Sequence, residues 1–406
     1  MRRLFGIAVV LILGLPSAGL TDATSTEQVP PVLQKSPPAP DKSTPQPPQP
    51  PPSLQSPTIE LEFAYGTEKQ KWVEAVTARF NAANVRIPSG ERVVVKPYGA
   101  GSGEMIDDLL TERHKPHLIS PAAGAFIDIG NAESREMNKG DLVGDTQDLV
   151  LSPIVVMMWR ETAEKLPRPI KWRDIFDGAR DPARWKQLAG PQAAPLKLAH
   201  TQPDQSNSGL HAIFLEAFAA ANKFDKLDVV DLNTPEVKKY FSDVEKAVPY
   251  YMNSTGNLAR DMVEKGPTAL TAAIVYENSV IEANRPSAKS GAPPKVVAIY
   301  PEEGTFPSEH PVGIVERPWV TEKHKQAAQA YINFLRDTPQ QEEAKKFGFR
   351  PYDTTKVPLG DLLSPELGVS AMQPTFLEPP PYAAINIIRQ LWRDNKNPSA
   401  TPVPGR

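Results

Sequence analysis

The chain has 406 residues, 45 basic against 48 acidic side chains for a formal charge of −3, 45 prolines and no cysteine. That length allows two or three domains with ample room for a buried core. The missing cysteine excludes structural disulfides, thiolate zinc sites, a cysteine nucleophile and a lipid-anchored cysteine, and the balanced charge argues against nucleic-acid binding.

Arg2 and Arg3 precede an apolar run from Leu4 to Leu15, then Pro16 and the small residues Ser17, Ala18 and Gly19. This is the order of a secretory signal peptide, expected over residues 1–23. The run falls short of the roughly 20 residues that span a bilayer, which favours a cleaved signal over a retained anchor. Either way the remainder is expected in the periplasm or outside the cell. Residues 24–57 hold twelve prolines between Pro30 and Pro57, mixed with Gln, Ser, Thr and Lys. That composition predicts a disordered, semi-rigid, polyproline-like spacer of about 3.1 Å per residue. It reads either as a stalk holding a domain off a membrane or as a leader with no partner.

Ile59, Leu61, Phe63 and Tyr65 alternate with polar or small residues and predict a strand. Thr67 and Gln70 form a capping-box pair before Trp72, Val73, Val76 and Phe80 at helical spacing. Val93–Val95 predict a second strand, ending in Gly99-Ala100-Gly101-Ser102-Gly103, with a helix through Ile106, Leu109 and Leu110. His117–Ile119 make a third short strand that ends at Ser120-Pro121. This strand–turn–helix alternation is the βαβ grammar of a mostly parallel sheet covered by helices. Leu149–Trp159 is a longer apolar run whose Pro153 suits a strand end or a crossing segment. A second unit follows: strand Leu196–His200, a helix from Ser206 through Phe218, a helix from Ser254 through Val263, and strand Ala269–Tyr276. Strands at Lys295–Tyr300 and Val312–Val315 precede helices over 321–335 and 338–347. A proline-broken tail then ends in one amphipathic helix, Ala383–Trp392, and an unstructured terminus. No repeat of fixed period is present.

Enzyme templates fail. The chain has no HExxH, no Walker phosphate loop and no nucleophile elbow, and Glu104 stands where a dinucleotide fingerprint needs glycine or alanine. Pro116 separates His114 from His117, so the pair cannot share a helical face as ligands and reads as solvated loop histidines. Neither metal nor cofactor is expected. What recurs is a hydroxyl-rich turn opening a helix, at Gly66-Thr67, Gly101-Ser102-Gly103, Ser206-Asn207-Ser208-Gly209 and Ser254-Thr255-Gly256. A helix start exposes unpaired N–H groups and partial positive charge, which suits an anion or a polar oxygen. Ser, Thr and Asn are also the ordinary helix caps, worth about 1 kcal/mol. Micromolar binding requires about 8 kcal/mol, so several such ends must converge.

The blocks Tyr98-Gly-Ala-Gly-Ser-Gly-Glu-Met, Lys115-Pro-His-Leu-Ile-Ser-Pro-Ala and Leu151-Ser-Pro-Ile-Val-Val-Met-Met-Trp follow one another in an informative order. They continue through His200-Thr-Gln-Pro-Asp-Gln-Ser-Asn-Ser-Gly-Leu, Asn253-Ser-Thr-Gly, Val275-Tyr-Glu-Asn, Ile299-Tyr-Pro-Glu-Glu-Gly-Thr-Phe and Gly348-Phe-Arg-Pro. Over residues 58–351 the chain resembles the periplasmic or extracellular solute-binding proteins of ABC transporters, in their type II (molybdate-, sulfate- and phosphate-binding-like) branch. The resemblance implies an α/β, two-lobed periplasmic-binding-protein-like fold hinged on two crossing strands, near Leu149–Trp159 and Lys295–Pro301. Lobe one would comprise 58–155 with 296–350, lobe two 156–295, and a C-terminal extension 351–406. It implies a monomer that captures a small polar solute, without altering it, for the membrane permease of an ABC transporter. Ligand contacts would fall on Gly66, Thr67, Ser102, Gly103 and Ser120 in lobe one, and on Ser206, Asn207, Ser208, Ser254, Thr255 and Glu277 in lobe two. A carboxylate at Glu277 would repel an oxyanion unless protonated or paired. Tyr65, Trp72, Tyr98 and Trp159 read as core or cleft wall; Tyr250, Tyr251 and Tyr276 offer stacking aromatics on the second lobe. The other reading is an envelope-associated interaction or sensory protein that uses the same lobes to bind a protein partner.

Overall fold

The computed structural model describes residues 57–399. The expected leader, nearly all of the proline-rich spacer and the terminal stretch from 400 lie outside the described residues.

Alternation in β1 (Thr58–Gly66) buries Ile59, Leu61 and Phe63 on one face. The helix that follows, α1 (Gln70–Ala82), sets Trp72, Val73, Val76 and Phe80 against that face. Then come β2 (Arg92–Ala100), α2 (Ser102–Leu110), β3 (Leu118–Ser120), α3 (Gly124–Glu136) and β4 (Val143–Asp148). After β5 (Val150–Leu151), the chain enters β6 (Ile154–Trp159) directly behind Pro153. A second unit follows with α4 (Arg160–Ala163), α5 (Trp172–Arg180), α6 (Pro182–Ala189), β7 (Leu198–Thr201), α7 (Asn207–Ala221) and α8 (Val229–Leu232). It is completed by α9 (Pro235–Ala247), β8 (Tyr251–Met252), α10 (Thr255–Lys265), β9 (Ala272–Tyr276), α11 (Glu277–Lys289) and β10 (Val296–Ile299). The return leg carries β11 (Pro311–Val315), α12 (Glu322–Arg336), α13 (Thr338–Lys345), β12 (Arg350–Pro351) and, after a long extended stretch, α14 (Tyr382–Asn395).

Two five-stranded sheets result, ordered β2-β1-β3-β11-β4 and β10-β6-β9-β7-β8. Within each sheet the strands linked by helices run parallel, β1 with β2 and β3, β7 with β8 and β9. The sheets are more mixed than the βαβ grammar suggests, because β11 lies antiparallel to β3 and β6 antiparallel to β9. The reason is topological. A strand arriving from the other sheet enters at the end where the resident strands finish, so it must run the opposite way. Helix α7 is buried on all sides from Asn207 to Ala219, as a helix surrounded by sheet and other helices must be.

His117 departs from the solvated-loop expectation. It is half-buried, its Nδ1 accepts the Glu62 N–H at 3.0 Å, and burial with the nearby His324 pulls its pKa down to about 4. The extension lies along the second unit, where Gly368 accepts from Ala298 N–H at 2.8 Å and residues 375–377 bracket Thr305 at 2.8–2.9 Å. Helix α14 buries Ile388 and Trp392. Its Arg389 and Arg393 both bind Asp204, at 2.8–3.0 Å, and Arg389 also reaches Glu133 of α3 at 3.3 Å.

Candidate functional site

Each hydroxyl-rich turn follows a strand end: β1 closes at Gly66, β2 at Ala100, β7 at Thr201 and β8 at Met252. Open α/β sheets bind ligands at such ends. The turns nevertheless differ in what they touch.

On the first sheet, Gly66 leads into a 3-10 turn over Thr67–Lys69. Lys69 is fully buried. Its ammonium donates to Glu68 Oε1 at 2.9 Å, His310 Nδ1 at 3.0 Å and the Pro121 carbonyl at 3.4 Å, which uses all three of its protons. Burial opposes charge on Glu68, but the Lys69 ammonium beside it outweighs burial and holds that carboxyl at about 2. Burial and the Lys69 charge push His310 down to about 4, so its ring is neutral. Ser120 is buried with its hydroxyl 3.5 Å from the His310 carbonyl.

The turn before α2 is occupied by the protein itself. Ser102 Oγ accepts the Ala122 N–H at 3.1 Å, and the Gly103 N–H donates to the Gln205 carbonyl at 3.0 Å. A Cβ on Gly103 would fall 1.9 Å from the Asp204 carbonyl, so only glycine permits this approach.

On the second sheet the hydroxyls gather. Thr255 Oγ1 lies 2.8 Å from Ser208 Oγ and 3.3 Å from Ser206 Oγ, and Ser208 Oγ lies 2.8 Å from Thr201 Oγ1. All four residues are buried. Ser254 caps α10, accepting the Asn257 N–H at 3.3 Å. The Tyr276 hydroxyl faces the Asn207 side chain, the Thr255 hydroxyl and the Ser208 N–H, and burial together with Glu68 keeps its proton on. Asn207 Oδ1 has no partner among the described residues.

The structure thus brings Thr67, Ser206, Asn207, Ser208 and Thr255 to one place. Gly256 confirms the approach, since a Cβ there would sit 3.8 Å from the Thr67 carbonyl and from Glu68 Cα. An open cleft of about 300 Å3 lies alongside, walled by Thr67, Glu68, Gly256 and Asn278, with Lys71 of α1 ion-paired to Glu282 of α11.

Glu277 stands apart. Its two oxygens take Arg350 Nε and Nη2, each at 2.7 Å, and the Tyr300 hydroxyl also donates to it. The pairing answers the repulsion expected of a carboxylate in the cleft, and three of the roughly four acceptor sites of Glu277 are already taken by the protein.

Sequence reasoning missed Glu68, Lys69 and His310, because a charged pair in a helix start normally faces water. Tyr276 entered only as a stacking aromatic, whereas its hydroxyl is the part that reaches the cluster. Among the described residues no group of three or more His, Asp and Glu side chains is arranged to hold a metal ion.

Solved structures share this fold. A periplasmic thiamin-binding protein is 11% identical, covering 87% of this chain and 99% of its own, with a TM-score of 0.60. The periplasmic binding protein AfuA from Actinobacillus pleuropneumoniae, solved with fructose-6-phosphate, is 13% identical over 83% of this chain and 98% of that one, at 0.52. A ferric binding protein from Campylobacter jejuni is 10% identical over 82% and 96%, at 0.51. No curated protein sequence matches. A family model described as bacterial extracellular solute-binding protein matches residues 61–350. The chain belongs to the bacterial extracellular solute-binding protein family.

Proposed function

We propose that this solute-binding protein holds a small polar solute where the helix starts of its two sheets converge, and delivers it to the permease of an ABC transporter. The observation that carries this reading is the approach of Ser206, Ser208 and Thr255 to the Thr67–Glu68 turn across the chain's two units. Hydroxyls are adaptable donors and acceptors, and the α7 and α10 starts add oriented N–H groups without net charge. One helix end contributes only about 0.3–2 kcal/mol toward an anion, so convergence is the essential feature.

Lobe one is read as 58–153 with 300–350 and lobe two as 154–299, because β6 and β10 pair with each other inside the second sheet, which moves the expected boundaries at 155 and 296 by a few residues. Closure follows ordinary linkage: the lobes sample open and closed forms, and a solute bridging both turns favours the closed one. The Lys71–Glu282 pair and the Gly103–Gln205 hydrogen bond form only when these segments meet, so closing creates them. The protein is read as an exported monomer that neither transforms its solute nor binds nucleic acid.

The test is a thermal-shift screen of the whole chain against oxyanions, sugar phosphates, sugars and amino acids, followed by calorimetry on hits. A ligand at 100 times its Kd raises stability by about 2.7 kcal/mol. Thr255→Val keeps the shape and removes the bridging hydroxyl, and should weaken the hit about tenfold or more. An unchanged affinity in that variant, or no hit across the panel, defeats the assignment.

A further inference from the structure

Helix α14 takes no part in the helix-start cluster, yet it touches both lobes. Its apolar face is anchored on lobe two, where Ile388, Leu391 and Trp392 are buried and the Trp392 ring meets Tyr251 edge-on, 5.7 Å between centroids. Just beyond the helix, the Tyr251 hydroxyl accepts the Asn397 N–H at 3.2 Å. Toward lobe one the contact is of another kind. Pro379–Pro381 and Tyr382 leave a cavity of about 480 Å3 against Ala132 and Arg135 of α3, so apolar packing across that seam is incomplete. Arg389, its side chain 12% exposed, spans the seam instead. Its Nε donates to Asp204 Oδ1 of lobe two at 3.0 Å and its Nη1 to Glu133 Oε1 of lobe one at 3.3 Å.

Asp204 lies at the contact between the lobes. Its own carbonyl is the group that crowds Gly103, and the next carbonyl, of Gln205, accepts the Gly103 N–H at 3.0 Å. The same loop leads into Ser206 and Ser208 at the start of α7. Closing the lobes therefore brings Asp204 toward two carboxylates of lobe one, Asp107 on α2 and Glu133 on α3. Like charges at such a seam repel. Burial pushes the Asp107 carboxyl upward, Glu133 and Asp204 push the same way, and Arg389 opposes them. Burial also opposes charge on Asp204, but Arg393 and Arg389 outweigh it and hold that carboxyl below its ordinary range. One planar guanidinium donating to a carboxylate from each lobe turns this repulsion into an attachment.

We propose that Arg389 is a positioning residue that latches the lobes shut: α14 travels with lobe two, and its guanidinium clasps Glu133 of lobe one. The C-terminal extension thereby sets what fraction of the molecules is closed before a solute arrives. A larger closed fraction raises apparent affinity in proportion. That effect on affinity rests on the solute-binding reading, whereas the latch itself does not.

Amide hydrogen exchange on the whole chain tests the latch without any solute. The Gly103 N–H is bonded across the lobes, so its protection reads the closed-to-open ratio. The His117 N–H, bonded to the Glu62 carbonyl at 2.9 Å inside lobe one, reads local stability. Arg389→Gln removes the charge and should speed Gly103 exchange about tenfold, with His117 exchange unchanged. Glu133→Gln, at the other end of the bond, should do the same, and the double variant should be no faster than either single one. Arg393→Ala spares both bonds and should leave Gly103 exchange as it is. An unprotected Gly103 in wild type, an unchanged rate in Arg389→Gln, or an effect of Arg389→Gln without one of Glu133→Gln overturns the proposal. So do additive effects in the double variant, equal speeding by Arg393→Ala, and equal speeding of Gly103 and His117, which marks lost folding rather than a lost latch. Because no solute enters, this result stands or falls apart from the ligand screen.

Discussion

The Gly101–Gly103 turn and the Ser206–Gly209 turn look alike on the page, yet the protein uses them in opposite ways. At the first, the Gly103 N–H is already bonded to the Gln205 carbonyl and Ser102 Oγ to Ala122. At the second, three hydroxyls and an unpartnered Asn207 Oδ1 gather opposite Thr67 and Glu68. Glu277 belongs with the first case, both its oxygens being held by Arg350. A helix start is therefore only an offer of donors. Whether a solute or the protein's own backbone accepts it depends on what the fold brings alongside.

The largest test of this contrast is Glu277→Ala. It strands a buried guanidinium, and should cost about 4 kcal/mol in denaturant unfolding while leaving the affinity of the surviving folded protein unchanged. A small stability loss with a large affinity loss would move Glu277 into the site. Next is pH. Ordinary histidine titrates near 6.5, whereas folded His310 and His211 sit at about 4 and about 3. The unfolded chain takes up protons first. The stability these rings contribute is thus complete above pH 6.5 and drains away as pH falls from there to about 4 for His310 and about 3 for His211. The His310 share is on the order of 3 kcal/mol, and the pH dependence of stability in His310→Gln should be flatter than in wild type across that window.

Gly103→Ala sharpens the contrast from the other side. The added methyl must displace the Asp204 carbonyl, costing about 2 kcal/mol and loosening the contact between α2 and the 202–206 loop. Small-angle scattering should report a more open particle, and an unchanged profile would show that this contact does not hold the two units together. The smallest effect is expected of Arg393→Ala. That residue is half-exposed and Arg389 still holds Asp204, so the loss should be about 0.5 kcal/mol and fade as salt rises.

Strong periodicity was legible. The stripe Trp72, Val73, Val76, Phe80 and the apolar run after Ser206 each became the helix expected, and Pro153 sits where a strand begins. Helix α3 was not legible: Gly124 and Gly130 interrupt its apolar pattern, and packing on Ile106 and Leu142 with the Asn131 bonds to the Leu142–Val143 backbone secures it. Helices α5, α6 and α9 were likewise passed over. The hydroxyl residues could be singled out because their type and place after a strand carry a physical meaning. Lys69, His310 and His211 could not, because their roles come from partners 241 residues away in one case and from burial in the other.

The order of residues alone determined the alternation of strand and helix, the position of the turns at strand ends, and the absence of thiol chemistry. These are local consequences of side-chain spacing, backbone preference and composition. Tertiary structure alone decided which turns converge, which carboxylate is neutralised by Arg350, and which imidazoles lose their charge. Those outcomes depend on distances between segments far apart in the chain and on the exclusion of water, and neither is written in any single stretch of sequence.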